Sequence, residues 1–246
     1  MGPRELLVTG DTGLFHKFGE EHLALCERVG FPWTHLSYDF MGLADFWRGR
    51  RSDALKKLEN ACDVEMPGLF AGIATGSLFQ VRAFFGEAEA GASFREEWLP
   101  TLGEPSGIGS WRYLTGAVQA FSYLGEDDEA AKLYPLTTQA IDTGTIMLHY
   151  GCFDLLEKIA GIAATAARDW PAAAAHFENA LKQAEAIPHK LDQCEVRYWY
   201  GKMLAERSAS GDRERARELL SDAIKGYRSI GMPLHLEMAE ELRAKL

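Results

Sequence analysis

The sequence predicts an all-α fold, an α-solenoid of helical hairpins, and three observations carry that prediction. Amphipathic stretches of roughly 12–18 residues follow one another, parted by short Gly, Asp, Ser or Pro breaks. No window alternates strictly between apolar and polar residues, as a half-buried strand would, and β-branched residues are sparse. Small residues recur at long intervals: Ala54, Gly91, Ala130, Ala173 and Ala216 stand 37, 39, 43 and 43 positions apart. A period of that length marks stacked supersecondary units.

Residues 14–30 read as one helix with no partner before it, either left from an earlier repeat of a longer protein or capped by the first dozen residues. Hairpins follow at about 34–62, 70–99, 110–142, 150–187 and 190–230. Residues 234–246 form a capping helix, with Leu234, Met238, Leu242 and Leu246 on one face. The chain 1–246 is thus one array without an internal domain boundary. In each hairpin the small residue lies early in the second helix, where two backbones approach. Five positions upstream, Gly49, Gly86, Gly125 and Gly211 mark the tight turn, and Arg168 holds that place in the fourth unit. Asp169 then supplies a cap and Pro171 sits in the first turn, while Ser52 and Ser110 are expected as N-caps of their helices. Four residues after the small one comes a large one: Leu58, Arg95 beside Phe94, Tyr134, Phe177 and Leu220. Three further on stand Ala61, Trp98, Thr137, Ala180 and Ala223, and the second unit keeps the pattern least well.

The segments GRRSDALKKLENA, GEDDEAAKLYPLT, RDWPAAAAHFENAL and GDRERARELLSDAI resemble the turn and second helix of a tetratricopeptide repeat. Gly42, Leu114, Phe121 and Gly161 are fainter traces of its first helix. Units of 43 residues exceed the standard repeat of about 34. In this they resemble the looser tetratricopeptide-like arrays at the C-terminal end of large ATP-dependent transcriptional activators and of some bacterial nucleotide cyclases. The resemblance implies a right-handed superhelix whose first helices line a concave groove.

Composition narrows the function classes. The chain has 246 residues, 47% of them hydrophobic and 25% charged, which excludes disorder and collagen-like repeats. Its net charge of −10 divides evenly between the two halves, so no basic arm is present and binding to nucleic acid is not expected. Cys26, Cys62, Cys152 and Cys194 form no CxxC motif and no disulfide framework, which suits buried thiols in a reducing cytosol. The N-terminus lacks a signal-peptide pattern, and the longest uncharged stretch, Met66 to Val81, is too short and polar to span a bilayer. A soluble, cytoplasmic protein without membrane contact is the expectation.

Motifs for catalysis are thin. Asp11-Thr12-Gly13 occurs once, whereas aspartic-protease chemistry needs two carboxylates sharing a proton, so a turn is the better reading. His22 and Cys26, His35 and Asp39, and His149 and Cys152 are each about one helical turn apart, but no third ligand is placed near any pair. GxSxG, GxxxxGK[ST] and HExxH are absent, and Gly107-Ile108-Gly109 lacks a third glycine. No catalytic residue, metal or cofactor is expected.

What remains is the inner groove. Aligning the hairpins places Asp39, Leu43, Phe46 and Trp47 there from the first and Gln80 and Phe84 from the second. The third gives Arg112, Thr115, Gln119 and Tyr123, the fourth Lys158 and Ile162, and the fifth Tyr198 and Lys202. Asp39, Trp47, Gln80, Arg112, Gln119, Tyr123, Lys158, Tyr198 and Lys202 are the candidate partner-binding set. Aromatic groups interleaved with Arg, Lys and Gln suit an extended peptide, an acidic one included. The expected function is a protein–protein interaction module of a larger signalling protein, binding a partner peptide or neighbouring domain. A small-molecule sensor is the alternative, and a hydrolase with a site assembled in the groove comes third.

Overall fold

The computed structural model describes residue 6 and residues 8–68, 70–89, 91, 92, 95, 108–148 and 153–246. The fold is all-α: among the described residues the only strand-like pairing is one antiparallel bridge between Met147 and Leu155. Twelve helices are described: α1 (Thr12–Val29), α2 (Thr34–Trp47), α3 (Arg51–Asp63), α4 (Ile73–Phe84), α5 (Ile108–Leu124), α6 (Asp127–Lys132), α7 (Tyr134–Asp142), α8 (Leu156–Ala166), α9 (Trp170–Ala186), α10 (Lys190–Arg207), α11 (Asp212–Ile230) and α12 (Pro233–Ala244).

Local chemistry sets these boundaries. Asp11 accepts from the Leu14 amide at 2.9 Å, so the Asp-Thr-Gly triplet is the N-cap of α1 rather than a catalytic loop. Asp169 caps α9 in the same way at 3.2 Å, with Pro171 in the first turn. Arg50 is the N-cap of α3, so Ser52 lies inside the helix, and Ser110 likewise falls inside α5. Pro135 interrupts the second helix of the third hairpin and divides it into α6 and α7. Gly49, Gly86, Gly125 and Gly211 all have φ between 72° and 84°. Arg168 makes the same left-handed turn at φ 55°, where a side chain is strained.

Packing follows sequence order. α2 packs on α3, α8 on α9 and α10 on α11, and α1 lies against α2. On α11 the buried residues Ala216, Leu219, Leu220, Ala223, Ile224 and Tyr227 form one stripe at helical spacing. One contact recurs in three hairpins. A Cβ on Gly42 would lie 2.7 Å from Leu58, one on Gly161 2.8 Å from Phe177, and one on Gly201 2.9 Å from Leu220. The first helix thus supplies a glycine, and the large residue four positions after the buried alanine fills the space above it. In the second hairpin Phe94 and Trp98 lie outside the described residues, so this register is not defined there. First helices also meet directly. α4 packs on α5 through backbone contact at Gly76 and Gly116, where a Cβ on Gly76 would be 2.8 Å from the Tyr113 Cα.

Helices from opposite ends of the chain touch. α12 packs against α2 as well as α11. Pro233 lies against Gly49, and the His235 ring stands 5.0 Å from Phe46, 4.9 Å from Phe84 and 5.6 Å from Tyr227. The helix read as an end cap therefore covers inward-facing aromatics of the first two hairpins as well.

Candidate functional site

The inward faces of α2, α4, α5, α8, α10 and α12 converge on a polar interior. At its centre Lys158 Nζ lies 2.6 Å from both Asp154 Oδ1 and Asp192 Oδ1, with all three side chains almost wholly buried. Gln119 Nε2 donates to Asp154 Oδ2 at 3.2 Å, and the Leu155 amide donates to Asp192 Oδ2 at 2.8 Å. His189 accepts the Asp192 amide on Nδ1 at 3.2 Å, which leaves Nε2–H to donate to the Phe153 carbonyl at 2.6 Å. Tyr227 donates to Glu195 Oε1 at 2.7 Å. A void of about 20 Å³ sits among these groups, walled also by Trp47, Gln80 and His235, large enough for one water molecule.

A second polar group lies where α2, α4 and α5 cross. Arg112 donates to Gln80 Oε1 at 2.8 Å and is fully buried. Asp39 is fully buried too, and neither of its oxygens forms a hydrogen bond. Burial pushes the Asp39 carboxyl up from its ordinary value to about 7, against the pull of the Arg112 charge. Glu195 is likewise pushed up by burial to about 7, against the pull of Lys158. Asp45 runs the other way: burial is outweighed by Lys57 at 2.6 Å and Arg50, which hold its carboxyl below the usual range.

These directions fix a pH dependence. The folded chain keeps protons on Asp39 and Glu195 that the unfolded chain releases from about pH 4 upward, so their contribution to stability falls between about pH 4 and pH 7. The Asp45 contribution has the opposite sign and is lost only in acid. Asp39→Asn removes one proton-linked carboxyl. The stability difference between pH 5 and pH 8, read from urea midpoints, is expected to shrink by about 1–3 kcal/mol. An unchanged difference would show that Asp39 titrates as an ordinary surface carboxylate.

The nine residues expected to meet a partner divide sharply. Trp47, Gln80, Gln119 and Lys158 wall the small void, and Asp39 and Arg112 lie in the helix crossing. All six are buried, so a peptide lying on the surface does not reach them. The basic residues of the set are already engaged or buried. Lys158 is matched by two aspartates, Arg112 has no exposed surface, and Lys202 pairs with Glu206 at 2.7 Å. Tyr123 and Lys202 are partly exposed and Tyr198 is buried, and all three sit apart from that interior. They line an open cavity of about 350 Å³ together with Phe84, Phe85, Ser122, Trp199, Leu234, Glu237, Met238 and Glu241. This cavity lies between α4, α5, α10 and α12, and α12 supplies one whole wall.

Among the described residues no three His, Cys, Asp or Glu side chains are placed to hold a metal. His22 Nδ1 lies 2.7 Å from Ser37 Oγ and 3.8 Å from Cys26, whose thiol is pushed up by burial and so is no thiolate nucleophile. His149 and Cys152 lie outside the described residues. Tyr134, His176 and Glu157 form a chain at 3.0 and 2.5 Å that has the layout of a proton relay. Burial pushes the Tyr134 phenol up, however, and none of the three lines either cavity. The chain ties α7, α8 and α9 together.

Sequence reasoning missed Trp199, Glu237 and Glu241 in the open cavity and Asp154, Asp192 and His235 in the interior. Spacing of four residues joins Asp154 to Lys158 and Glu237 to Glu241, but one turn of a helix does not say which face is inward. Comparison with protein-family models, with curated proteins and with solved structures gave no match.

Proposed function

We propose that this protein is a binding module of tetratricopeptide-like hairpins, and that its site is the aromatic cavity between α4, α5, α10 and α12. The ligand is a compact group rather than an extended peptide. One observation carries this reading: of the nine inward residues expected to meet a partner, Tyr123, Tyr198 and Lys202 line this open cavity of about 350 Å³, whereas Trp47, Gln80, Gln119 and Lys158 wall a void of only about 20 Å³. Its volume of about 350 Å³ falls at the small end of ligand pockets, which are mostly apolar with a few polar groups. The hairpin array itself is supported by the recurring glycine contact at Gly42, Gly161 and Gly201 and by the left-handed residues at each turn. Right-handed stacking of those hairpins is part of the proposal.

An interaction module remains the second reading in a narrower form, because a partner protein can place one side chain in the same cavity. A library of small compounds tests the site. With methyl-labelled methionine, compounds that bind are expected to shift the Met238 methyl signal, which lines the cavity, and to leave the buried Met41 and Met203 unmoved. Binding that shifts Met41 or Met203 and spares Met238 would place the site elsewhere.

A further inference from the structure

We infer that the open cavity is a site for an organic cation, a molecule with an ammonium group on a flat apolar body. This rests on the cavity being the binding site and goes on to name what it takes. Its walls include Phe84, Phe85, Tyr123, Tyr198 and Trp199, and ring faces attract cations. One cation already uses such a face, since Lys202 Nζ stands over the Trp199 ring at 5.5 Å. That lysine is neutralised by Glu206, so it does not attract an anion strongly.

The α12 wall carries the opposite sign. Glu237 and Glu241 are one helical turn apart, both are exposed, and both line the cavity. Neither takes part in an ion pair among the described residues, whereas Glu240 beside them pairs with Arg228 at 2.8 Å. The lining therefore holds two uncompensated carboxylates, which repel an anionic ligand and draw in an ammonium group.

Aromatic walls and free carboxylates on α12 together describe an aromatic amine.

The ammonium can come from a free amine or from a lysine of a partner peptide, and the test separates the two. Wild-type protein with labelled methionine methyls is titrated with tyramine, phenethylamine, 3-(4-hydroxyphenyl)propionate and the peptide acetyl-Gly-Lys-Gly-amide. Tyramine is expected to shift Met238 and to bind at least about tenfold tighter than the carboxylate of the same body. Phenethylamine, which carries the same ammonium group, should also shift Met238 and bind more tightly than the carboxylate. In the double variant Glu237→Gln, Glu241→Gln, whose exposed positions leave the fold intact, tyramine binding should weaken about tenfold and lose its salt dependence. Tighter binding of the peptide than of tyramine supports the same chemistry and assigns it to a partner's lysine. Equal or stronger binding of the propionate at Met238 overturns the cation inference and leaves the cavity as the site. Silence from all four probes, with compounds of the library still shifting Met238, overturns the cation inference too. If neither the probes nor the library move Met238, the cavity reading fails with it.

Discussion

Lys158→Met is expected to lower stability by about 3–5 kcal/mol, the cost of leaving buried carboxylates without their counter-charge. The ammonium group bridges Asp154 and Asp192 at 2.6 Å each, and all three side chains are almost wholly buried. Burial alone would strip the proton from this lysine. The two aspartates outweigh it and hold Lys158 charged, its pKa raised above the ordinary value. Methionine matches the length of the stem but leaves two like charges facing each other. The loss should appear as a lower urea midpoint at unchanged slope. Adding Asp154→Asn and Asp192→Asn to the variant should recover most of it, because removing a whole buried ionic cluster is far cheaper than removing one member. A loss below about 1 kcal/mol for Lys158→Met alone would mean that the cluster is solvated like a surface pair.

Gly116→Val comes next, at about 3 kcal/mol. In an open helix, replacing glycine with alanine gains up to about 1 kcal/mol, so a bulkier residue at a free position costs little. Here a Cβ would overlap the Gly76 carbonyl oxygen on α4 and stand 2.9 Å from the Arg112 guanidinium. Backbone cannot swing aside as a side chain does, so α4 and α5 must separate along their shared face. The same shift would disturb the Arg112–Gln80 hydrogen bond at 2.8 Å. Thermal melting checks the effect, and a variant as stable as the wild type would show that the two helices are further apart than described.

Local elements were legible because each rests on chemistry within a few residues. Turn positions follow from Gly49, Gly86, Gly125 and Gly211, since a left-handed residue is needed to reverse the chain there. Even Arg168 was placed by its spacing alone. Buried alanines at 54, 130, 173 and 216 follow from helical period and small size. Helix starts were less secure: Ser52 and Ser110 are good capping residues, yet the helices begin before them. The split at Pro135 shows one proline outweighing the repeat pattern.

The site was far less legible, for a reason of scale. Whether Lys158 meets a ligand or Asp192 depends on a contact across 34 residues, and His235 meets Phe46 from the far end of the chain. Repeat alignment states which residues face inward. It does not state how closely the helices from distant parts of the chain come together, and that decides whether inward means groove or interior. Glu237 and Glu241 look like ordinary solvating charge on a capping helix until α12 is seen to form a wall.

The walled cavity requires α12 to lie against α2 and α4, and His235 reports on that directly. A proton NMR spectrum recorded through the aromatic region, with a pH titration of the His235 ring, is the measurement. Cross-peaks from His235 to both Phe46 and Phe84 are expected, at ring separations of 5.0 and 4.9 Å. The ring should also stay neutral well into acid, because burial, joined by the Lys158 charge, pushes it down to about 3. Absence of both cross-peaks, with His235 titrating near its ordinary 6.5, would mean an open array and no walled cavity.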